Sequence, residues 1–210
     1  MVDESLHVEV LPDEQKELFK LLSRQEWLKS FYLIGGTALA LQIGHRRSLD
    51  FDFIIESDFC AKEIIGRLKR LGEFALFDEM ENTINGLLNS VNISFLKYEY
   101  LLIRAPHKYN NIIISDILDI ALMKINAISG RGSRKDFIDI YFLLNIFSLS
   151  ELFEQYKNKY GLEISNNYHL LKSLVYFEDA EKEPMPAMIK SVEWPEVKDT
   201  IIHKVRKMRL

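Results

Sequence analysis

The stretch YLIGGTALALQIGHRRSLDFDF, residues 32–53, constrains the fold more than any other part of the chain. A short apolar run, FYLI, predicts a strand that breaks at Gly35 and Gly36. TALALQI predicts a helix of about two turns that stops at Gly44, and LDFDFII predicts a second strand. Residues two apart on a strand share a face, so Leu49, Phe51, Phe53 and Ile55 point one way and Asp50 with Asp52 the other. The apolar set predicts a core face. Two carboxylates side by side on the opposite face are costly unless cations or hydrogen-bond donors neutralise them.

Around this stretch the pattern divides the chain. Pro12 with Asp13 and Glu14 starts a helix whose apolar residues are Leu18, Leu21 and Leu22. Ser57 or Asp58 is placed to cap the helix FCAKEIIGRLKRLG. Segments 73–79, 82–89 and 91–98 read as a meander, with Asn85-Gly86 as a turn or bulge. From NIIISDILDIALMKINAISGR onward the pattern is helical, with Ser115 as the expected N-cap. Further helices are expected in RKDFIDIYFLLNIF, LSELFEQYKNKYG, NNYHLLKSLVYFEDAE and PEVKDTIIHKVRKMRL. The expected class is α+β, with a mixed α/β part over residues 1–115 and an all-helical part over 116–210. At 210 residues and 48% hydrophobic content the chain can bury a core.

A formal charge of −4, from 27 basic and 31 acidic residues, excludes a surface that is positive throughout, so any nucleic-acid contact is a local patch. The single cysteine, Cys60, excludes an internal disulfide framework and a cysteine-based zinc site and fits a reducing compartment. The start MVDESLHVEV lacks the pattern of a secretory signal, and no apolar run has spanning length, so a cytoplasmic location is expected.

Gly35 and Gly36 lack a Cβ, so backbone there can approach a phosphate closely, and the following helix aims unpaired N–H groups at the same place. Thr37 adds a hydroxyl donor. Asp50 and Asp52 suit a hard divalent cation, Mg2+ or Mn2+, that bridges to the phosphates of an NTP. Taken separately, each feature has a plainer reading: a tight strand-to-helix turn, and two acids on a solvated edge strand. Their order is more specific. Apolar-Gly-Gly, thirteen intervening residues and Asp-apolar-Asp-apolar resembles the signature of the polymerase-β-type nucleotidyltransferase superfamily. GGTALAL with HRRSLDFDF, and DIALMKINAISGRGSRKDFIDIYFLL downstream, resemble its AbiEii/AbiGii toxin branch over residues 30–145.

The resemblance implies a minimal nucleotidyltransferase sheet flanked by helices, with the helical half completing the cleft. It implies Mg-dependent transfer of a nucleoside monophosphate to an RNA, plausibly tRNA, or to a protein hydroxyl. The setting it implies is a toxin–antitoxin or phage-defence pair with a cognate antitoxin. Catalytic roles carry over to Asp50, Asp52 and Lys124, and nucleotide binding to Gly35, Gly36, Thr37, Ser48, Lys124, Arg131, Lys135, Asp136 and Asp139. The superfamily usually adds a third carboxylate on a later strand; SVNISFLKY offers only Asn92 or Ser94 there. A non-catalytic NTP- or partner-binding module and an NTP-dependent phosphotransferase are the alternatives.

Lys124 lies beside the apolar stripe of Ile120, Met123 and Ala127, and it needs an anionic partner. Two readings stay open: Lys124 and Arg131 pair with Asp136 and Asp139 to lock two helices, or they line the nucleotide cleft. Arg134, Arg46 and Arg47 read as peripheral, either solvated or touching the acceptor. Lys198, Lys204, Arg206, Lys207 and Arg209 are either a dipole-favoured helix end or a patch that steers RNA. Tyr156, Tyr160, Tyr168 and Tyr176 are expected to pack the helical half. His45 lacks a second histidine at ligand spacing and reads as a turn residue or as one that supports the site from behind.

Overall fold

The computed structural model describes residues 6–161 and 166–208. The chain divides into two units, Met1–Asp116 and Ile117–Leu210. Among the described residues no helix is long and apolar enough to cross a membrane.

The first unit opens with α1 (Asp13–Leu22), then β1 (Tyr32–Ile34), α2 (Gly35–Ile43), β2 (Phe51–Ile55) and α3 (Ala61–Leu71). The meander follows as β3 (Phe74–Met80), β4 (Thr83–Leu88) and β5 (Val91–Lys97). A hairpin of β6 (His107–Tyr109) and β7 (Ile112–Ile114) ends the unit. The described strands form one seven-stranded mixed sheet in the order β3-β4-β5-β2-β1-β7-β6. β2 runs antiparallel to β1 and parallel to β5, and β1 runs parallel to β7. The first two strands of the diglycine stretch thus sit at the centre of the sheet, not at its edge.

Alternation on the central strands separates an aromatic face from a polar one. Phe53 and Phe95 are register partners and stack at 5.1 Å between ring centroids. Phe31 meets Phe95 edge-on, Phe51 stacks on Phe19 of α1, and Arg67 of α3 lies over the Trp27 ring. Phe19, Phe51, Phe53 and Phe95 are each fully buried, and burial of such side chains contributes about 1.5–3 kcal/mol apiece. The other face carries the row Asp52, Ser94, Asn85 and Asp78 across β2, β5, β4 and β3, since register partners share a face.

Several local expectations change. Leu49 is 54% exposed, because β2 begins at Phe51 and the alternation does not extend back to it. Of the turn or bulge expected at Asn85-Gly86, the turn is absent, since the pair lies within β4, and a bulge or irregularity lies opposite it in β3 between Leu76 and Asp78. The hairpins turn instead at Asn82, at Asn89 with Ser90, and at Asn110, all with positive φ. Asparagine tolerates that conformation better than most residues, and it hydrogen-bonds nearby backbone. Neither Ser57 nor Asp58 caps α3, whose cap position is Cys60. The Asp58 carboxylate is drawn to Lys97 and Asn82, each at 2.8 Å, and the Lys97 hydrogen bond holds its pKa below the ordinary value. Ser115 is no side-chain cap either; its hydroxyl is buried without a hydrogen-bond partner among the described residues. The helical reading that began at Asn111 starts too early: Ile112–Ile114 are β7, paired with β6 in a hairpin.

The second unit contains α4 (Ile117–Gly130), α5 (Arg134–Leu143), α6 (Leu149–Tyr160), α7 (Asn167–Leu174) and α8 (Trp194–Lys207). Tyr156 and Tyr160 are buried and pack as expected, whereas Tyr168 and Tyr176 are 70% and 54% exposed. Arg134 is not peripheral: Nε donates to Ala180 O, Nη2 to Glu181 O, and the guanidinium lies 4.8 Å from the Trp194 ring centroid. Lys198 pairs with Glu181 and Lys204 donates to Leu144 O, which leaves Arg206 and Lys207 of the expected basic end; Arg209 is outside the described residues.

One ion pair here is fully buried. Lys159 Nζ lies 2.7 Å from Asp119 Oδ1, with both side chains at 0% exposure, tying α6 to α4. Removing one partner strands a charge in the core. Asp119→Ala is expected to lower unfolding free energy by about 3–5 kcal/mol, whereas Asp119→Leu with Lys159→Met recovers most of it. Urea unfolding of the three proteins checks this; equal stability of Asp119→Ala and the double variant is the contrary result.

Candidate functional site

The site is built where β1 ends and β2 begins. The antiparallel register pairs Ile34 with Asp52, so the residue after Ile34 reaches the Asp52 side chain. That residue is Gly35, with φ +75°, and a Cβ placed on it would lie 2.9 Å from Asp52 Oδ2. Glycine is required twice over, by conformation and by room. Gly35 also opens α2, whose cap residue Ile34 provides no side-chain hydrogen bond. The first amides of a helix have no intrahelical acceptor, and its dipole is positive at this end. Asp52 therefore lies beside an uncapped helix start.

Asp50 and Asp52 are both half-buried on the polar face. Each meets a neutral donor from the parallel neighbour β5. Asn92 Nδ2 donates to Asp50 Oδ1 at 2.9 Å, and Ser94 Oγ donates to Asp52 Oδ1 at 2.6 Å. These are the two positions at which a third carboxylate would be sought. The parallel register, Asp52 opposite Ser94, explains why the same two-residue spacing occurs on both strands. Asn92 and Ser94 thus belong to the site as donors that hold the carboxylates. Their offset pairing was legible only once β2 and β5 were known to be neighbours.

The flanking residues divide. Thr37 is buried, and its hydroxyl donates to the Asp50 backbone carbonyl, so it ties α2 to the start of β2 and is already engaged as a donor. Ser48 lies under the diglycine turn: a Cβ on Gly36 would come within 3.1 Å of its Oγ and 2.5 Å of Arg46 Nη2. Arg46, expected at the periphery, is 3% exposed and donates from Nη1 to Arg47 O at 3.0 Å. Its guanidinium beside Gly36 places a cation at the turn. Sequence reading missed it because an Arg-Arg pair before a strand looks solvated; Arg47 is in fact exposed. His45 is buried next to it.

The residues expected from the second unit form a separate cluster. Lys124 Nζ lies 2.7 Å from Asp136 Oδ1 and 2.7 Å from Asp139 Oδ2, with all three side chains at most 10% exposed. Ser133 Oγ donates to the second Asp136 oxygen at 2.6 Å. The helix-locking pairing forms at Lys124 and not at Arg131. Two carboxylates offset the charge that Lys124 could offer a phosphate. Arg131 and Lys135, on either side of Ser133, are exposed and lie outside the triad.

Asp50 and Asp52 fit a hard divalent cation. Such ions are commonly bound through one or two carboxylates, with phosphate oxygens and water completing the shell. Among the described residues no group of three or more His, Cys, Asp or Glu is placed to hold a metal ion by itself.

Comparison with known proteins places this geometry. The model of the nucleotidyl transferase AbiEii toxin family, a type IV toxin–antitoxin system, matches residues 17–118, which include both strands and the diglycine turn. A protein of Aquifex aeolicus (strain VF5), aq_aa25, described as uncharacterized, is 37% identical over 205 residues, covering 93% of this chain and 96% of that one. The crystal structure of JHP933 from Helicobacter pylori superposes with a TM-score of 0.58 at 16% identity, covering 93% of this chain and 92% of its own. A second H. pylori structure, described as a candidate nucleotidyltransferase, gives 0.57 at 15% identity, with 98% and 95% covered. At such identities the likeness establishes the fold. The chain belongs to the AbiEii nucleotidyl transferase toxin family and has the mixed-sheet nucleotidyltransferase fold.

Proposed function

We propose that this chain transfers a nucleoside monophosphate from an NTP to a hydroxyl acceptor on RNA, tRNA among the candidates, or on protein. The observation that supports the reading most directly is the convergence of Gly35, the uncapped start of α2 and the Asp52 carboxylate. In the reaction the acceptor oxygen bonds to the α-phosphorus, the bridging P–O bond to the β-phosphorus breaks, and pyrophosphate leaves while the hydroxyl proton passes to water. Asp50 and Asp52 would hold Mg2+ or Mn2+, which when bound offsets the charge of the phosphates. The Gly35 and Gly36 backbone and the α2 dipole would face the triphosphate, with Ser48 and Arg46 beneath the turn. Arg131 and Lys135 would supply positive charge for phosphate-bearing ligands of the same reaction, and the Lys124–Asp136–Asp139 triad would hold the α4–α5 turn that carries them. By family, the partner is a cognate antitoxin and the setting toxin–antitoxin control or phage defence.

The neutral Asn92 and Ser94 favour one second reading, a module that binds NTP without transferring it. Incubation with α-labelled and γ-labelled NTP and pooled RNA and protein separates the cases. Incorporation from the α-label alone supports nucleotidyl transfer, incorporation from the γ-label indicates a phosphotransferase, and neither, with binding intact, indicates the module.

Thermal unfolding provides a second check. Asp50→Asn is expected to keep the fold yet lose the magnesium-dependent stabilisation by NTP; an undiminished shift would remove Asp50 from the site. A third measurement concerns Ser94. Ser94→Asp sets a carboxylate against Asp52 and is expected to cost about 1–3 kcal/mol without metal, largely recovered by millimolar magnesium. A destabilisation that magnesium leaves untouched would argue that no cation sits there.

A further inference from the structure

The sheet of the first unit has two edges, and they are built differently. β6 has three residues, His107, Lys108 and Tyr109. β3 has seven, and all of them except Phe74 are exposed. A free edge offers unpaired N–H and C=O groups to other chains, and soluble proteins blunt it with a short strand, with lysine or proline, or with a bulge. β6 has both brevity and Lys108. β3 is long, and its sequence FALFDEM contains neither lysine nor proline. Leu76, Phe77 and Met80 are 41%, 62% and 58% exposed along it. Leu76 is opposite Gly86 and Asp78 opposite Asn85, so the irregularity between them leaves Phe77 without a partner residue on β4. Its ring makes no ring contact among the described residues. The bulge that twists this edge thus also sets a bare aromatic side chain at its middle.

Charge narrows what can cover it. Glu73 precedes β3, Asp78 and Glu79 lie in it and Glu81 follows it, and none of the four forms an ion pair among the described residues. Lys97 of β5 reaches the β3–β4 turn, where its amide donates to Asn82 O, but its ammonium is 2.8 Å from Asp58. Asp58 first, then Glu99 and Glu81, hold that ammonium in its charged form and raise its pKa. Lys69 and Arg70 end α3 just before Glu73, at the other end of β3 from Glu79 and Glu81. Counting Lys62 at the start of α3 as well, carboxylates outnumber cations where β3 turns into β4. A second copy is the wrong partner for such an edge. Antiparallel pairing of β3 with itself about Phe77 would set Glu73 opposite Glu81, and pairing about Leu76 would set Glu73 opposite Glu79. Like charges directly across a strand pair are destabilising.

We propose that β3 is a docking edge for another protein, which adds an extended segment of alternating apolar and basic residues as an eighth strand. Main-chain hydrogen bonds to the free side of β3 hold the segment. Leu76, Phe77 and Met80 meet its apolar side chains, and its lysines or arginines meet Asp78, Glu79 and Glu81. β3 is three places from β2 in the sheet, so the edge is separate from Asp50 and Asp52 and does not rest on the nucleotidyl-transfer reading.

Fluorescence anisotropy of a labelled octapeptide of alternating lysine and valine, titrated with the full chain across a salt series, tests the edge. Two control peptides accompany it: one with glutamate in place of lysine, and the lysine peptide with every internal amide N-methylated. The lysine peptide is expected to bind, with affinity falling as salt rises, and neither control to bind. Hydrogen exchange in the complex should slow at the amides of β3 and not at those of β6. Phe77→Ala should weaken binding by about tenfold, and Asp78→Asn with Glu79→Gln should flatten the salt dependence. These positions are on the surface, and circular dichroism confirms that each variant is folded. Failure of the lysine peptide to bind, equal binding of its N-methylated form, or full binding by both variants overturns the proposal. So does a concentration-dependent dimer of the chain alone, seen by analytical ultracentrifugation and lost in Phe77→Ala, which would give the edge to a second copy.

Discussion

The register of β1 against β2 is the constraint on which the rest of the site depends. Ile34 opposite Asp52 fixes where the chain leaves the sheet, and the next residue must turn with positive φ against a carboxylate oxygen. A one-residue slip would invert every side chain on β2, sending Phe51 and Phe53 to the polar face and Asp52 into the aromatic core. The Phe53–Phe95 stack and the Asp52–Ser94 hydrogen bond resist that slip from opposite faces of the same two strands. The hydrophobic core and the polar site are therefore specified by one alignment.

That dependence explains what was legible in the sequence. The strand, diglycine turn, short helix and second strand could be read because each has a local signal: β-rich runs, a break, helical spacing, then period-two alternation. The meander and the five helices of the second unit were readable for the same reason. The β6–β7 hairpin was not, because its strands have three residues each and turn at Asn110 without a glycine. Three residues hold too little alternation to separate a strand from a loop. Ser115 misled in the same region: serine before an apolar run is a good cap signal, but here it continues the sheet, donating its amide to Leu33 O.

The site was legible as a set of residue types and not as a set of partners. Asp50 and Asp52 carried their own signal, as did the glycines. Arg46, Asn92 and Ser94 did not, because what they do depends on a strand neighbour or a turn that the local pattern leaves open. Lys124 shows the reverse case. Its position beside an apolar stripe called for an anion, and two of the candidates were on the page; the geometry selects Asp136 and Asp139, both at 2.7 Å.

The replacement of a third acid by neutral donors has an electrostatic consequence. Three carboxylates on adjoining strands repel strongly in the absence of a cation, and such a site tends either to retain metal or to take up a proton. With Asn92 and Ser94 in place, two carboxylates each receive a hydrogen bond, and Arg46 adds a positive charge at the nearby turn. A carboxylate that accepts a hydrogen bond keeps its orientation without metal. If the proposed reaction holds, the polar face would be ready for a cation that arrives with its phosphates, at the expense of the carboxylate that would take a proton from the acceptor. Nucleotidyl transfer at such a site would depend more on holding the acceptor oxygen in line with the α-phosphorus than on deprotonating it first, since positioning alone supplies a large share of such a barrier.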